Sequence, residues 1–148
     1  MSAARATPLF VDTGAFYARA DADDAHHEAA GRVFAGIRSS DLPYRPLYTS
    51  QAVVSELATL LLYTLGHDVA ARTLTAIRDS ESFTVLPVGR PAFEAAAGRF
   101  VEYDDQRISF VDHTSAVLAD ERDVHHVFAY DDDFRTLGFT LVPGDVDV

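Results

Sequence analysis

The sequence predicts an α/β fold with a central parallel sheet of about five strands and helices on both faces. Short apolar stretches alternate with segments of helical periodicity along the whole chain, which is typical of repeated strand–helix units. The first apolar stretch, residues 9–11, stops at Asp12, and Gly14 then opens a helical segment. A buried parallel strand that delivers an acidic side chain to its carboxyl end has this pattern.

The spacing of apolar residues predicts where the strands and helices lie, and residues that commonly begin or end helices predict their bounds. The expected strands are residues 9–11, 47–49, 83–88, 125–130 and 139–142. The expected helices are residues 15–20, 25–38, 51–65, 69–79, 91–103, 110–122 and 131–137. Ser50 and Ser109 suit the N-cap position, and Pro91 suits a first helical turn. Gly66 ends the third helix, and residues 39–46, with two prolines, are expected to form a loop.

Length and composition favour one globular domain. We expect a single domain over residues 1–148, with its motif-bearing part at about 8–143 and short tails at both ends. No apolar run reaches the ~20 residues of a membrane span, and the first residues lack the apolar segment of a secretory signal. With no cysteine, disulfides and thiolate metal sites are excluded. We therefore expect a soluble cytoplasmic protein without a membrane partner.

The charge balance limits how this chain can bind nucleic acid. Aspartate and glutamate total 23 against 12 basic residues, all of them arginine, and the net charge is −11. Broad electrostatic capture of RNA or DNA depends on Lys and Arg that displace counterions. A nucleic-acid substrate would therefore require a bound cation and local arginines to offset the negative field.

Four acidic residues occur where an α/β fold can bring them to one sheet edge. Asp12 ends the first strand, and Asp131 is the first residue after the fourth. Glu56 projects from a largely apolar helix face, where an unpaired carboxylate is uncommon. Asp112 lies on a helical stripe of small residues. Structural roles also exist, because Asp12 can cap the next helix and Asp112 can form a capping box with Ser109.

Taken together, the four acids favour a metal site over four separate structural roles. Crowded carboxylates raise one another's pKa unless a cation lies between them. Ligand sets made of oxygen favour Mg²⁺, or Mn²⁺, over zinc. A group of carboxylates around hard divalent ions is typical of enzymes that hydrolyse phosphodiesters with metal-activated water.

Four motifs carrying these acids resemble, in order, the motifs of PIN domains. They are VDTGA at residues 11–15, SE at 55–56, SFVDHTS at 109–115 and AYDDDF at 129–134. The resemblance covers about residues 8–143 and is closest to the VapC-type toxins of prokaryotic toxin–antitoxin pairs. It implies an Mg²⁺-dependent endoribonuclease, usually a homodimer, that a cognate antitoxin protein holds inactive.

The resemblance also assigns site residues by motif position. The residues that carry over as the acidic catalytic site are Asp12, Glu56, Asp112 and Asp131. Asp12 and Asp112 are its primary metal ligands. Thr13 and Ser115 carry over as hydroxyls that orient carboxylates or metal-bound water.

The run of three aspartates after the fourth strand departs from the family pattern, which often has a basic or polar residue after the fourth acid. Asp131 is best placed at the sheet edge, Asp132 is expected to be solvated, and Asp133 to cap or support the short helix that follows. Arg135 and Arg19 are the candidate RNA contacts, because they are near the motifs in sequence.

Other functions are possible within the family and outside it. A housekeeping RNA-processing PIN nuclease, or a PIN-like binding module without activity, would share the motifs. A strand followed by Asp-Thr-Gly also suggests phosphatases of the haloacid dehalogenase type or receiver domains. The former require a second aspartate where Gly14 stands, and the latter require a lysine that the chain lacks.

Histidines, tyrosines and apolar helices offer weaker signals. The histidines have no metal-binding spacing, so His26, His27 and His113 are expected to be solvated or at the margin of the core. Three tyrosines could stack on bases, although core packing with a polar tip is the more ordinary role; they are Tyr17, Tyr48 and Tyr130. The apolar content of helix 51–65 and of the next helix predicts a surface for a dimer partner or antitoxin.

Overall fold

The computed structural model describes residues 5–148, so the start of the expected N-terminal tail falls outside the described residues. The strands are β1 (Thr7–Val11), β2 (Tyr44–Ser50), β3 (Phe83–Leu86), β4 (His126–Phe128) and β5 (Thr140–Val142). The helices are α1 (Thr13–Ala20), α2 (His27–Ser39), α3 (Gln51–Leu65), α4 (His67–Asp79), α5 (Arg90–Glu102), α6 (Phe110–Glu121) and α7 (Asp133–Thr136). All expected elements are present, in the expected order.

The five strands form one parallel sheet in the order β3-β2-β1-β4-β5, flanked by helices, as predicted. The central strand β1 is the most buried, because Leu9, Phe10 and Val11 have no exposed surface. Since every strand runs in the same direction, the carboxyl ends of β1, β2 and β4 meet at one edge of the sheet. This carboxyl edge is where ligands bind in open α/β sheets.

Strand β2 begins earlier than predicted, so the expected loop over residues 39–46 is wrong for its last three residues. Pro46 has no N–H and cannot donate a hydrogen bond within a regular sheet. The pairing accommodates it through an irregularity: Thr7 pairs with Tyr44 and Leu9 with Leu47, so β2 uses one more residue than β1 over this segment. Such a bulge permits proline inside a strand that has neighbours on both sides.

The helices begin where the sequence places their caps. Ser50 Oγ accepts a hydrogen bond from the Val53 N–H at 3.1 Å, and Ser109 Oγ accepts one from the Asp112 N–H at 3.1 Å. These caps fix the first turns of α3 and α6, the two helices that carry Glu56 and Asp112.

Over residues 5–148, no helix is both long and apolar enough to cross a lipid bilayer.

Candidate active site

Asp12 joins the end of β1 to the start of α1. Its N–H donates to the Phe128 carbonyl at 3.0 Å, which ties the ends of β1 and β4 together. Its Oδ2 accepts a hydrogen bond of 3.5 Å from the Gly14 N–H, so the N-cap role that the sequence allowed is real. The second oxygen, Oδ1, is buried without a partner among the described residues, although only 5% of Asp12 is exposed. Capping therefore accounts for one carboxylate oxygen only.

Burial raises the pKa of both Asp12 and Asp112. The pKa of Asp12 rises to about 7, mainly because the side chain is desolvated, although backbone N–H groups at Thr13 and Gly14 oppose the shift. The pKa of Asp112, which is 7% exposed, rises to about 8, again chiefly through burial. Two carboxylates that resist ionisation at one sheet edge are costly unless a cation is bound there.

The four acids predicted from the sequence act on one another electrostatically. The charges of Glu56 and Asp131 raise the pKa of Asp12, and the charges of Asp12, Asp131 and Glu56 raise that of Asp112. The fold thus brings together two strand ends and two helix faces, as their sequence positions suggested. Glu56 is half-buried on α3 and lines a surface cavity that it shares with Val111.

Asp133 joins Asp131 and Asp112 in a group of three closely spaced acids. One carboxylate oxygen from each of Asp112, Asp131 and Asp133 lies within 4.8 Å of the other two. The Asp133 N–H also donates to Asp131 Oδ1 at 2.9 Å, and burial followed by the charge of Asp131 raises the pKa of Asp133. A supporting role for Asp133 was predicted, and its place in this group adds a possible metal ligand to that prediction.

Asp132 points away from this group. It forms an ion pair with Arg135, whose guanidinium also pairs with Asp145 at 2.8 Å. The exposed position of Asp132 agrees with its predicted solvation. Arg135, predicted to contact RNA, is held by two carboxylates that partly neutralise it.

Arg19 lies at the opposite edge of the sheet from the acids. Its guanidinium stacks 4.7 Å from the centre of the Phe34 ring. With Arg38 and Arg45 it lines a cavity of about 720 Å³ beside the starts of β2 and β3. The fold therefore does not bring Arg19 to the acidic cluster, and its proximity in sequence was misleading.

Two hydroxyls beside the acids are buried and make no hydrogen bond within residues 5–148. They belong to Thr13 and Ser115, the residues expected to orient carboxylates or metal-bound water. Buried polar atoms in native proteins nearly always have a partner, so two unpaired hydroxyls beside an unpaired carboxylate oxygen indicate that a ligand or water belongs here. Thr49 plays a part that the sequence did not suggest, because its hydroxyl donates to the Val11 carbonyl at 2.9 Å.

The aromatic residues named in the sequence have different surroundings. Tyr17 donates its hydroxyl hydrogen to Asp21 at 2.7 Å, and Tyr48 lies beneath Arg122. His113 is buried between α5 and α6, with its ring edge-on to that of Tyr103 at 5.2 Å. Tyr130, which directly precedes Asp131, stacks on His26.

The chemistry of this donor set suits a hard divalent cation. Asp12 and Asp112 offer buried oxygens, and Asp131 and Asp133 offer more accessible ones at the mouth. An ion there would relieve the repulsion that raises the pKa values, and all-carboxylate coordination is typical of Mg²⁺ and Mn²⁺.

Comparison with known proteins identifies the family to which the chain belongs. The PIN-domain family model matches residues 9–140. The chain is 36% identical over 134 residues to VapC20 of Mycobacterium tuberculosis, a 23S rRNA-specific endonuclease, covering 90% of this chain and 97% of that protein.

Solved structures show the same fold. A crystal structure of M. tuberculosis VapC20, described as a sarcin–ricin-loop-cleaving toxin, superposes with a TM-score of 0.80 at 33% identity, covering 88% of this chain and 95% of that one. FitAcB from Neisseria gonorrhoeae, at 18% identity, gives a TM-score of 0.63 over 90% of this chain and 95% of that one, which supports the fold alone. The family model and a relative that matches along nearly its whole length together show that this chain belongs to the PIN-domain family, in its VapC-type branch.

Proposed function

We propose that this VapC-type chain is an endoribonuclease toxin that hydrolyses RNA phosphodiester bonds with the help of Mg²⁺, for which Mn²⁺ can substitute. The observation that carries the proposal is the pair of buried carboxylates, Asp12 and Asp112, with pKa values raised to about 7 and about 8 beside three further acids. Such a pair is destabilising in a structural role. It is useful when a divalent cation occupies the site.

Each residue has a distinct part in the proposed reaction. Asp12 and Asp112 would hold the cation from the buried side, while Asp131, Asp133 and Glu56 form the outer wall. When bound, such a cation would activate water and offset the negative charge that develops on the phosphate. No covalent intermediate with the protein is needed.

The hydroxyls of Thr13 and Ser115 support this arrangement. Because both are buried and unpaired in the described chain, each can donate a hydrogen bond to a carboxylate or to an ordered water. A fixed carboxylate orientation keeps the reacting groups aligned and lowers the cost of reaching the transition state.

The substrate class follows from the relative. M. tuberculosis VapC20 is a 23S rRNA-specific endonuclease, and an identity of 36% across nearly the whole length supports RNA as the substrate of this chain. A toxin also needs an inhibitor in its own cell, so a cognate antitoxin protein is part of the proposal.

An exposed apolar face supports the proposed homodimer. Tyr63 on α3 is 83% exposed, and Leu60 and Leu62 lie beside it. Helix α5 adds Phe93, Phe100 and Val101, whereas α4, expected to contribute, carries none of the large exposed apolar residues in the described chain. Since Leu60 and Tyr63 share a cavity with Glu56, a partner on this face would lie next to the active site.

The activity is tested by digestion of RNA with purified protein. We expect cleavage with Mg²⁺, none with excess EDTA, and none by Asp112→Asn, which keeps the side-chain shape but removes the charge. Asp132→Asn is the matched control, because that neighbouring acid pairs with Arg135 and should retain activity. Wild-type cleavage that survives EDTA would contradict the metal mechanism.

The dimer is tested by light scattering. We expect the wild type to be dimeric and Tyr63→Arg to be monomeric, because a buried arginine without a partner is costly at an apolar interface. Val148→Arg, at a comparably exposed apolar residue, should leave the dimer intact. A wild-type monomer at all concentrations would refute the proposed homodimer.

A further inference from the structure

A parallel aromatic pair lies at the same edge of the sheet as the acidic cluster. The rings of His26 and Tyr130 stack with their centres 4.0 Å apart and their planes within 5°. Tyr130 follows the end of β4 and directly precedes Asp131, so the pair lies at the carboxyl edge of the sheet. Tyr130 stands within the fourth acidic motif, whereas His26 lies outside all four motifs.

The surrounding structure holds both rings in place. The His26 N–H donates to Asp24 Oδ1 at 2.8 Å, which forms a tight turn before α2. His27, the next residue, lies 2.8 Å through its Nδ1 from the Ala18 carbonyl and so attaches this turn to α1. On the other side, the Tyr130 ring meets Phe128 in an edge-on arrangement, with centres 6.2 Å apart. A ring fixed in this way loses little conformational entropy when a ligand binds.

One face of the histidine ring is free. His26 occupies the N-cap position of α2, but its side chain makes no capping hydrogen bond. The residue is exposed, whereas Tyr130 covers one face of its ring. The outer face is therefore open to solvent and parallel to a second aromatic ring.

The charge distribution makes stacking the more effective way to hold RNA here. Three acids lie in the turn before His26, and three more follow Tyr130. Arg135, the nearest arginine in sequence to the acidic cluster, is paired with Asp132 and Asp145. Burial and the charge of Asp24 raise the pKa of Tyr130 and the charge of Arg32 opposes them, so one arginine lies near the pair. Acids outnumber it here, whereas stacking of a base on an aromatic ring does not depend on neutralising charge.

We propose that His26, backed by Tyr130, is a stacking platform for an unpaired nucleobase of the RNA next to the scissile phosphodiester. This inference rests on the proposed ribonuclease activity and adds a substrate-binding residue to it. The platform favours single-stranded or looped RNA, because a base in a duplex is already stacked on its neighbours.

Fluorescence provides a direct test, since the chain contains no tryptophan. We would place His26→Trp in the Asp112→Asn background and add an unstructured RNA oligonucleotide of mixed sequence with Mg²⁺. Stacking should quench the new tryptophan by at least about twofold, whereas an abasic strand of equal length should leave it unchanged. His125→Trp, an exposed histidine before the opposite end of β4, is the matched control and should not respond.

Kinetics provide the second test. We expect His26→Ala to raise KM for RNA about 5- to 100-fold while kcat stays within about twofold, because base stacking mainly contributes binding. His26→Phe should restore KM, and His125→Ala should resemble the wild type. Melting temperatures of all variants show whether an effect comes from unfolding.

The outcomes separate the platform from the activity. Two results would overturn the platform and leave the ribonuclease activity intact. One is RNA binding, measured by anisotropy, without quenching of the tryptophan at position 26. The other is an unchanged KM in His26→Ala, or a KM in His26→Phe that rises as much as in His26→Ala. A wild type that neither binds nor cleaves RNA would overturn both.

Discussion

The two edges of the same sheet carry mainly opposite charges. At the carboxyl edge, the acids that end β1 and β4 and those on α3 and α6 crowd together, and burial raises the pKa of Asp12 and Asp112. At the amino edge, Arg19, Arg38 and Arg45 line a cavity together with Glu81. An acid therefore lies among the arginines, whereas the charges that act on the pKa of Asp12 and Asp112 are all negative.

Several arginines stabilise the ends of helices. Arg19, Arg38 and Arg78 lie in the last turns of α1, α2 and α4, where a positive charge stabilises the negative end of the helix dipole. The acids at the other edge have no such benefit, because Asp112 is buried and only one oxygen of Asp12 is used as a cap. Arginines that stabilise helix ends, and acids that destabilise the carboxyl edge, indicate that the acidic edge is the functional one.

The largest expected effect is on catalysis. Asp12→Asn should lower the rate of RNA cleavage at least about 100-fold, because it removes a charged ligand from the proposed site. Arg78→Gln, in the last turn of α4 and outside the acidic cluster, should keep the rate within about twofold. The measurement is the initial rate of RNA cleavage with Mg²⁺. Equal losses in both variants would erase the distinction between the acidic cluster and the arginines at the helix ends.

The second effect is on stability as a function of pH. Because the folded-state pKa values of Asp12 and Asp112 lie above their unfolded values, the metal-free protein should lose stability as pH rises from about 4 to about 8. One pKa unit corresponds to about 1.4 kcal/mol, so the melting temperature should fall by at least about 4 °C. The melting temperature of Asp112→Asn should fall less over the same pH range.

Metal binding sharpens the same measurement. At pH 8, Mg²⁺ should raise the melting temperature of the wild type, because a ligand that binds only the folded state stabilises it. The melting temperature of Asp112→Asn should rise much less when Mg²⁺ is added. A wild type that is equally stable at pH 5 and pH 8 without metal would show that the acids are not destabilising.

The smallest effect is expected at the end of helix α4. Arg78→Gln should lower the free energy of unfolding by about 0.3–1 kcal/mol, the usual contribution of a cation at a helix carboxyl terminus. The effect should shrink at high salt, since the arginine is exposed. Denaturant titration at two salt concentrations measures it, and a stability gain would contradict the stabilising role given to these arginines.

The sequence predicted the fold and the clustering of the four acids, because both depend on local signals. Asp12 follows an apolar strand, and Glu56 and Asp112 stand on helices that begin at recognisable serine caps. Parallel topology then brings such residues to one edge without further information.

What the sequence missed depends on the path of the chain between elements. Asp133 was predicted to cap or support the short helix, and its grouping with Asp112 depends on the two residues between the end of β4 at Phe128 and Asp131. The stacking of His26 on Tyr130 joins distant parts of the chain, and no periodicity reports such a contact. Arg19 was misplaced for a related reason, because α1 carries it to the far edge of the sheet.

The two hydrogen bonds that fix the end of β1 also bear on which ion the site accepts. Asp12 is attached to β4 through its own N–H, and the carbonyl before it is held by Thr49 of β2. Mg²⁺ binds carboxylate oxygens at about 2.0–2.1 Å and Ca²⁺ at about 2.3–2.6 Å. An ion of larger radius must therefore displace the aspartates at the mouth, because the backbone of Asp12 cannot retreat. Size selection between ions would thus come from the sheet itself, through a ligand anchored on both sides.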